Sequence, residues 1–170
     1  MITYRDAEAA DARALTTFTR DTFVETFGHL YPPEDLASFL AEKHDADIVR
    51  AEIAGGEARW RLACDGDEIV GYSKLGGAFD LPVERERGAI ELHRLYVHAR
   101  VKGAGVAQAL MDEVLSWARA QGAPALYLSV WENNFRAQAF YKSYGFGHVG
   151  EHGFMVGRTR DRDFIWRLAL

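Results

Sequence analysis

An apolar strand that leads through a glycine-rich turn into an amphipathic helix is the feature that most constrains this chain. The strand is predicted over Ile90–Val97 and the helix over Gly103–Gln121, where Val106, Leu110 and Val114 recur at helical spacing. A strand followed at once by such a helix is typical of a helix that packs back onto a sheet. The pattern therefore predicts an α/β fold.

Further strands and helices on both sides complete the predicted architecture. Before the unit, the sequence predicts a strand, three helices and a hairpin: Ile2–Tyr4, a helix capped by Asp11, a helix beginning at Pro32 and Pro33, Ala46–Ala54, and the strands Ala58–Cys64 and Glu68–Leu75. After the helix Gly103–Gln121, the sequence predicts one further helix, Asn134–Tyr144, and three strands: Ala125–Val130, His148–Met155 and Phe164–Leu168. Strands at both ends of the chain indicate a mixed sheet flanked by helices, in a single domain of residues 1–170.

The strand Ile90–Val97 contains an irregularity. Ile90 and Leu92 share one face, but Leu95 and Val97 are one residue out of phase with them. Burial of both faces explains this pattern, and so does a bulge near 93–94 that would redirect the end of the strand. The sequence leaves both explanations open.

Composition and charge exclude several classes of protein. The 170 residues carry a net charge of −5, which argues against a nucleic-acid-binding protein that works through bulk charge. The chain has no stretch of about 18 apolar residues and no signal-peptide layout, so we expect no membrane partner. Cys64 is the only cysteine, which indicates a reducing, cytoplasmic compartment, and its apolar neighbours favour a buried thiol over a nucleophile.

The glycine-rich turn has two interpretations. A helix N-terminus offers unpaired N–H groups and a positive dipole, and Gly103 and Gly105 allow a ligand to approach the backbone. Arg100 and Lys102 add positive charge, so the turn suits a pyrophosphate. The alternative is a tight turn that needs glycine for its geometry alone. Neither a P-loop nor a dinucleotide-binding fingerprint fits the order of these residues.

Two blocks of the sequence resemble the GNAT (Gcn5-related) N-acetyltransferases. LYVHARVKGAGVAQALM is similar to the family's acetyl-CoA-binding pattern, Arg/Gln-x-x-Gly-x-Gly/Ala after an apolar strand, with Arg100, Gly103 and Gly105 at the fixed positions. VWENNFRAQAFYKSYGF resembles the second block, with matches at Asn134, Ala137, Tyr141, Gly145 and Phe146. Softer motifs, among them DTFVETFGHLY, resemble the bacterial spermidine/spermine N-acetyltransferase branch.

The resemblance implies a fold and a cosubstrate. The fold is a mixed, largely antiparallel sheet of six to seven strands, flanked by helices and with splayed strands in its middle. The cosubstrate is acetyl-CoA, without a metal: main-chain groups of the strand end would pair with the pantetheine arm, and the turn amides would hold the pyrophosphate. The implied binding residues are Leu95, Tyr96, Val97, Arg100, Val101, Lys102, Gly103, Ala104, Gly105, Val106, Ala107, Asn134, Ala137 and Tyr141.

Tyr141 is the general acid that the resemblance implies. The departing sulfur of CoA has a thiol pKa of about 8.5, and a tyrosine hydroxyl beside it can donate a proton. Asn134 and Tyr141 lie nearly two helical turns apart, so they share a stripe with Ala137 between them. The alternative for Tyr141 is a core tyrosine with a hydrogen-bonded hydroxyl, and Asn134 also suits a helix cap.

The acceptor amine needs a base, because an alkylamine of pKa about 10.4 is protonated at neutral pH. Glu91 lies six residues before Val97, where the resemblance implies a glutamate that acts through water. A solvent-facing glutamate is the alternative, and His93 is a second candidate base.

The resemblance implies that the turn between the first two helices covers the acceptor, a small-molecule amine. Phe27, His29 and Tyr31 would grip it by cation–π contact, with Glu25 or Glu132 supplying negative charge. A capped interhelical turn is the alternative. The sequence thus predicts an acetyl-CoA-dependent N-acetyltransferase of a polyamine or similar small amine. A protein N-terminus or lysine as acceptor and a non-catalytic acyl-CoA-binding sensor stay open, and the resemblance also allows a homodimer.

Overall fold

Seven strands form one mixed sheet, and five helices lie against it. The computed structural model describes all 170 residues. The strands are β1 (Ile2–Asp6), β2 (Ala58–Asp65), β3 (Glu68–Gly76), β4 (Ile90–Val97), β5 (Ala125–Trp131), β6 (Gly147–Val156) and β7 (Thr159–Ala169). The helices are α1 (Ala12–Phe27), α2 (Pro33–Lys43), α3 (Ala46–Gly55), α4 (Val106–Ala120) and α5 (Phe135–Ser143). None of them has the length and apolar character required to cross a bilayer.

The sheet is largely antiparallel and opens in its middle. The strand order is β1-β2-β3-β4-β5-β7-β6, and only β4 and β5 are parallel. These two strands pair only where Ile90–Leu92 lies opposite Leu126–Leu128. Beyond Leu92, β4 pairs with β3 alone and β5 with β7 alone, so one edge of β4 is free. The predicted fold, including its splayed strands, is confirmed.

A bulge explains the irregular pattern of β4. Lys74 and Leu75 of β3 lie opposite Arg94 and Leu92 of β4, so His93 is the extra residue. With this insertion, Ile90, Leu92 and Leu95 of β4 pack in one core cluster with α4. The insertion also turns the polar side chains of the strand toward a cavity. Of the two explanations that the sequence left open, the structure shows the bulge.

Helices cover both faces of the sheet. Leu62 and Ala63 are neighbours on β2 and therefore point to opposite faces. Leu62 packs in one cluster with Leu15 of α1, whereas Ala63 packs in another with Leu110 of α4. Cys64 is buried as expected, and burial raises the pKa of its thiol.

Three boundaries and caps differ from the sequence prediction. The helix α4 begins at Val106 rather than Gly103, because Gly103 and Gly105 have φ of +88° and +82°, outside the helical region. The Asp11 side chain does not cap α1 but pairs with Arg5 at 2.7 Å. The last strand starts at Thr159 instead of near Phe164. The sequence did not predict its first half, because those charged residues do not have the pattern of a buried strand.

Candidate active site

A cavity of about 610 Å³ lies where β4 and β5 separate. Its wall combines the polar face of β4, the ends of β5 and α5, the turn after α1, and β7. Residues from both of the sequence blocks that resemble the GNAT family therefore face one space. Those predicted residues are Glu91, His93, Leu95, Tyr96, Asn134, Ala137 and Tyr141.

Tyr141 lies in the wall of this cavity with an unpartnered hydroxyl. Its side chain is 9% exposed and packs edge-on against Phe140 and Phe146. Its hydroxyl makes no hydrogen bond within the protein. The alternative interpretation, a core tyrosine with a hydrogen-bonded hydroxyl, therefore does not describe Tyr141. Burial raises the pKa of the phenol, and the nearby Tyr96 raises it further by a smaller amount. Tyr141 thus presents a protonated donor to the cavity.

Glu91 and His93 lie in contact and form one unit rather than two separate candidates. Glu91 is 6% exposed, and its Oε1 lies 3.2 Å from His93 Nδ1. Its Oε2 accepts a hydrogen bond from the Asp80 amide at 2.8 Å. His93 Nε2 lies 3.0 Å from the carbonyl of Gly76, which can only accept, so this nitrogen bears a hydrogen. Glu91 and His93 are therefore close enough to act together on one proton.

The start of α4 presents five amides that have no acceptor within the protein. They belong to Gly103, Gly105, Val106, Ala107 and Gln108. Three of the predicted amide donors instead bond to carbonyls inside the turn at 3.1 Å, namely Val101, Lys102 and Ala104. The free donors are thus shifted toward the helix relative to the sequence prediction. Several unpaired N–H groups at a helix N-terminus suit a phosphate.

The two cations of the turn differ in their availability. The Arg100 guanidinium pairs with Glu68 at 2.7 Å and with Asp65 at 3.5 Å, both at the hairpin between β2 and β3. Lys102 is exposed and has no carboxylate partner. Lys102 is therefore the cation that can reach a bound phosphate without first breaking an ion pair.

The free edge of β4 is available for a ligand that pairs like a strand. Leu95 and Val97 pack their side chains against core clusters, and their main-chain groups along the free edge can pair with such a ligand. Tyr96 points the other way and stacks on Tyr72, with ring centroids 5.9 Å apart. Asn134 Oδ1 accepts the Ala137 amide at 3.1 Å and therefore caps α5 while it also lines the cavity.

Gly105→Ala is expected to weaken acetyl-CoA binding. No atom lies within 4 Å of a Cβ added at Gly105, so the cost comes from its left-handed backbone, φ +82°, and amounts to about 1–2 kcal/mol. Relaxation of this strain would misalign the free amides, and we expect KM for acetyl-CoA to rise about 10-fold with little change in kcat. Gly55→Ala is the matched control, because Gly55 also has open space but lies in α3 without positive φ. An unchanged KM in the Gly105 variant would contradict the assignment.

The structure brings two of the four predicted acceptor residues to the cavity. Phe27 and Tyr31 lie in its wall. His29 is exposed in the short 3-10 turn after α1 and does not line the cavity. Glu132 is also outside the cavity, and its carboxylate pairs with Arg162 at 3.5 Å. Glu25 is exposed on α1 and does not line the cavity.

Two aspartates of β7 supply negative charge that the sequence reasoning missed. Ser129 Oγ donates to Asp163 at 2.8 Å, and the Tyr31 hydroxyl donates to Asp161. Neither aspartate has a lysine or arginine within 4 Å, and burial raises the pKa of Asp163. The alternation of arginine and aspartate over residues 160–163 was the available signal, since it places both aspartates on one face of a strand.

Comparison with known proteins agrees with this arrangement. The model of the acetyltransferase (GNAT) family matches residues 16–146. An uncharacterized N-acetyltransferase of Lactobacillus delbrueckii subsp. lactis is 33% identical over 161 residues, which is 94% of this chain and 92% of the relative. The spermine/spermidine N(1)-acetyltransferase of Bacillus subtilis is 28% identical over 94 residues, 55% of this chain and 61% of that enzyme.

A solved structure extends the likeness to the whole fold. The PaiA N-acetyltransferase of Thermoplasma acidophilum, in complex with coenzyme A, superposes with a TM-score of 0.79 at 18% identity, covering 100% of this chain and 99% of that one. The family model spans more than half of the present chain. The chain therefore belongs to the GNAT family of N-acetyltransferases and is an acetyl-CoA-dependent acyltransferase.

Proposed function

We propose that residues 1–170 form one domain that transfers acetyl from acetyl-CoA to the primary amine of a polyamine or a similar small amine. One observation carries the proposal: the unpartnered hydroxyl of Tyr141 and the Glu91–His93 unit face the same cavity at the opening of the sheet. A cytoplasmic location and a homodimer stay predictions.

Donor binding follows from the backbone of β4 and α4. The free edge of β4 pairs with the amide-containing arm of the donor, which aims the thioester into the cavity. The five free amides and Lys102 contact the pyrophosphate. Because these donors already match two negative charges, the proposal requires no metal ion.

The transfer is a direct attack of the amine nitrogen on the thioester carbon. Glu91, with His93, accepts the proton that the ammonium must lose before its nitrogen becomes nucleophilic. The new C–N bond forms as the C–S bond breaks. Tyr141 donates its proton to the departing sulfur, and its raised pKa keeps the phenol protonated until that moment.

The acceptor class is supported by the charge of the β7 wall. Asp161 and Asp163 lack a cation of the protein, and Phe27 and Tyr31 present aromatic rings to the same cavity. This combination favours an alkylammonium ion. The Bacillus subtilis relative, whose name gives spermine and spermidine as substrates, supports the same class.

A CoA-release assay across acceptors tests the proposal. We expect turnover with spermidine and spermine at millimolar concentration to exceed that with peptides bearing a free N-terminus or lysine. Asp163→Asn should raise KM for the amine about 10-fold or more, because it removes a charged partner. Turnover confined to peptides would favour a protein acetyltransferase instead. Tight acetyl-CoA binding without CoA release for any acceptor would favour a sensor.

A further inference from the structure

Arg94 is a cation without a counter-ion in the wall of the cavity. It follows the bulge in β4, and its side chain is half-buried. Every other arginine that is shielded from solvent has a carboxylate or carbonyl partner: these are Arg20, Arg59, Arg61 and Arg167. Arg94 alone among the shielded arginines has neither partner; its guanidinium lies beside the Tyr72 hydroxyl, which is neutral and leaves the charge uncompensated. A partly buried charge of this kind is stabilised by an opposite charge from outside the protein.

The other cations near Arg94 are already neutralised. Lys74 pairs with Glu52 at 2.7 Å, and Lys43 pairs with Glu42 at 3.1 Å. His44 bonds to Thr19, and burial together with the charge of Arg94 lowers its pKa to about 3, so it is neutral at physiological pH. Arg94 is therefore the uncompensated positive charge on this side of the cavity.

The surroundings of Arg94 suit an anion with oxygen acceptors. Burial raises the pKa values of Tyr72 and Tyr96, and the charge of Arg94 lowers both. The guanidinium is therefore close to both phenols. Phenol hydroxyls and a guanidinium are all hydrogen-bond donors, and the guanidinium fork matches a carboxylate. Uncompensated carboxylates, those of Asp161 and Asp163, lie on β7 in the same cavity. The cavity therefore carries both signs of charge.

We infer that Arg94 binds a carboxylate of the acceptor, so that a small amine with an acidic group is preferred over the same amine without one. This inference rests on the proposed function, in which the cavity takes the acceptor. Arg94 lies three residues after Glu91 on β4, roughly 7–10 Å along a bulged strand. The carboxylate and the reacting amine are therefore several bonds apart, as in the side chain of lysine.

Lysine and cadaverine form the matched probe pair, because lysine is cadaverine with one added carboxylate. With the wild-type chain we expect kcat/KM for lysine to exceed that for cadaverine about 10- to 100-fold, the range for a charged hydrogen-bonded contact. Arg94→Gln should remove this preference, and Arg94→Lys should retain part of it, since it keeps the charge but loses the fork. Arg119→Gln, which removes an exposed charge at the end of α4, should retain the full preference.

Binding measured by calorimetry, with acetyl-CoA replaced by CoA, separates failure of this inference from failure of the proposed function. Tighter binding of lysine than of cadaverine that is lost in Arg94→Gln supports the inference even without turnover. A preference for cadaverine over lysine, or a lysine preference that survives Arg94→Gln, overturns it. Absence of CoA release with every amine contradicts the proposed function, and the calorimetric comparison then still decides the role of Arg94.

Discussion

Tyr141→Phe is expected to lower kcat about 100-fold while KM for acetyl-CoA changes less than about 2-fold. The substitution removes one hydroxyl and nothing else. That hydroxyl makes no hydrogen bond in the structure, and the ring keeps its edge-on contacts with Phe140 and Phe146. The departing thiolate would then have to take its proton from water. A steady-state assay that varies acetyl-CoA measures both parameters.

A thioester with a better leaving group distinguishes an acid from a structural tyrosine. An aryl thiol has a lower pKa than CoA and needs little protonation as it leaves, so an aryl thioester donor should recover most of the lost rate. Tyr144→Phe is the control on the same helix, since its hydroxyl contacts Asp112 and Gln108 outside the cavity. Equal losses in the two variants, or no recovery with the aryl donor, would remove Tyr141 from the acid role.

The fold could be predicted where its determinants are local in sequence. The strand–turn–helix unit, the positive-φ glycines and the hairpin from Ala58 are set by periodicity and turn chemistry, and all are present. The out-of-phase pattern of β4 indicated the bulge but did not distinguish it from two-sided burial. Pairing with β3 decides between them, and such pairing joins residues 17 or more positions apart. Non-local register is not encoded in any short window of sequence.

The site could be predicted only in part, for the same reason. Tyr141 belongs to a block with recognisable spacing, Glu91 lies at a fixed distance before the other block, and both face the cavity. Asp161 and Asp163 lie in a charged segment that is typical of a solvated loop. Only the pairing of β7 with β5 reveals that one side of this segment is buried. Glu132 does not line the cavity and pairs with Arg162, whose side chain lies on the face of β7 opposite to Asp161 and Asp163.

The free-energy cost of deprotonating the acceptor connects the buried acid–base groups to activity. A primary amine of pKa about 10.4 pays roughly 4.6 kcal/mol to become neutral at pH 7. The aspartates of β7 favour the ammonium form on arrival, which increases the need for a proton acceptor inside the cavity. In the proposed mechanism, Glu91 and His93 supply that acceptor at one wall, while Asp161 and Asp163 hold the cation at another.

Glu91→Gln is expected to lower kcat/KM for the amine about 100-fold at pH 7. The glutamine oxygen can still accept the Asp80 amide, so the local fold is retained, but the side chain can no longer take a proton. The neutral fraction of the amine grows about tenfold per pH unit below about 10.4, and neutral amine needs no base. The loss of kcat/KM in Glu91→Gln should therefore become smaller as the pH rises. Rate profiles between pH 7 and pH 10, taken as a range for the assay, measure this trend.

His93 gives the Glu91 prediction a second, independent readout. If the two side chains act as one proton-accepting unit, His93→Gln should also lower kcat/KM, and the double variant should lose little more than Glu91→Gln alone. Glu57→Gln, at an exposed glutamate before β2, is the control for loss of one negative charge. If the loss of kcat/KM in Glu91→Gln stays constant across the pH range, Glu91 is not the base and instead positions β4. Additive losses in the double variant would show that Glu91 and His93 act separately.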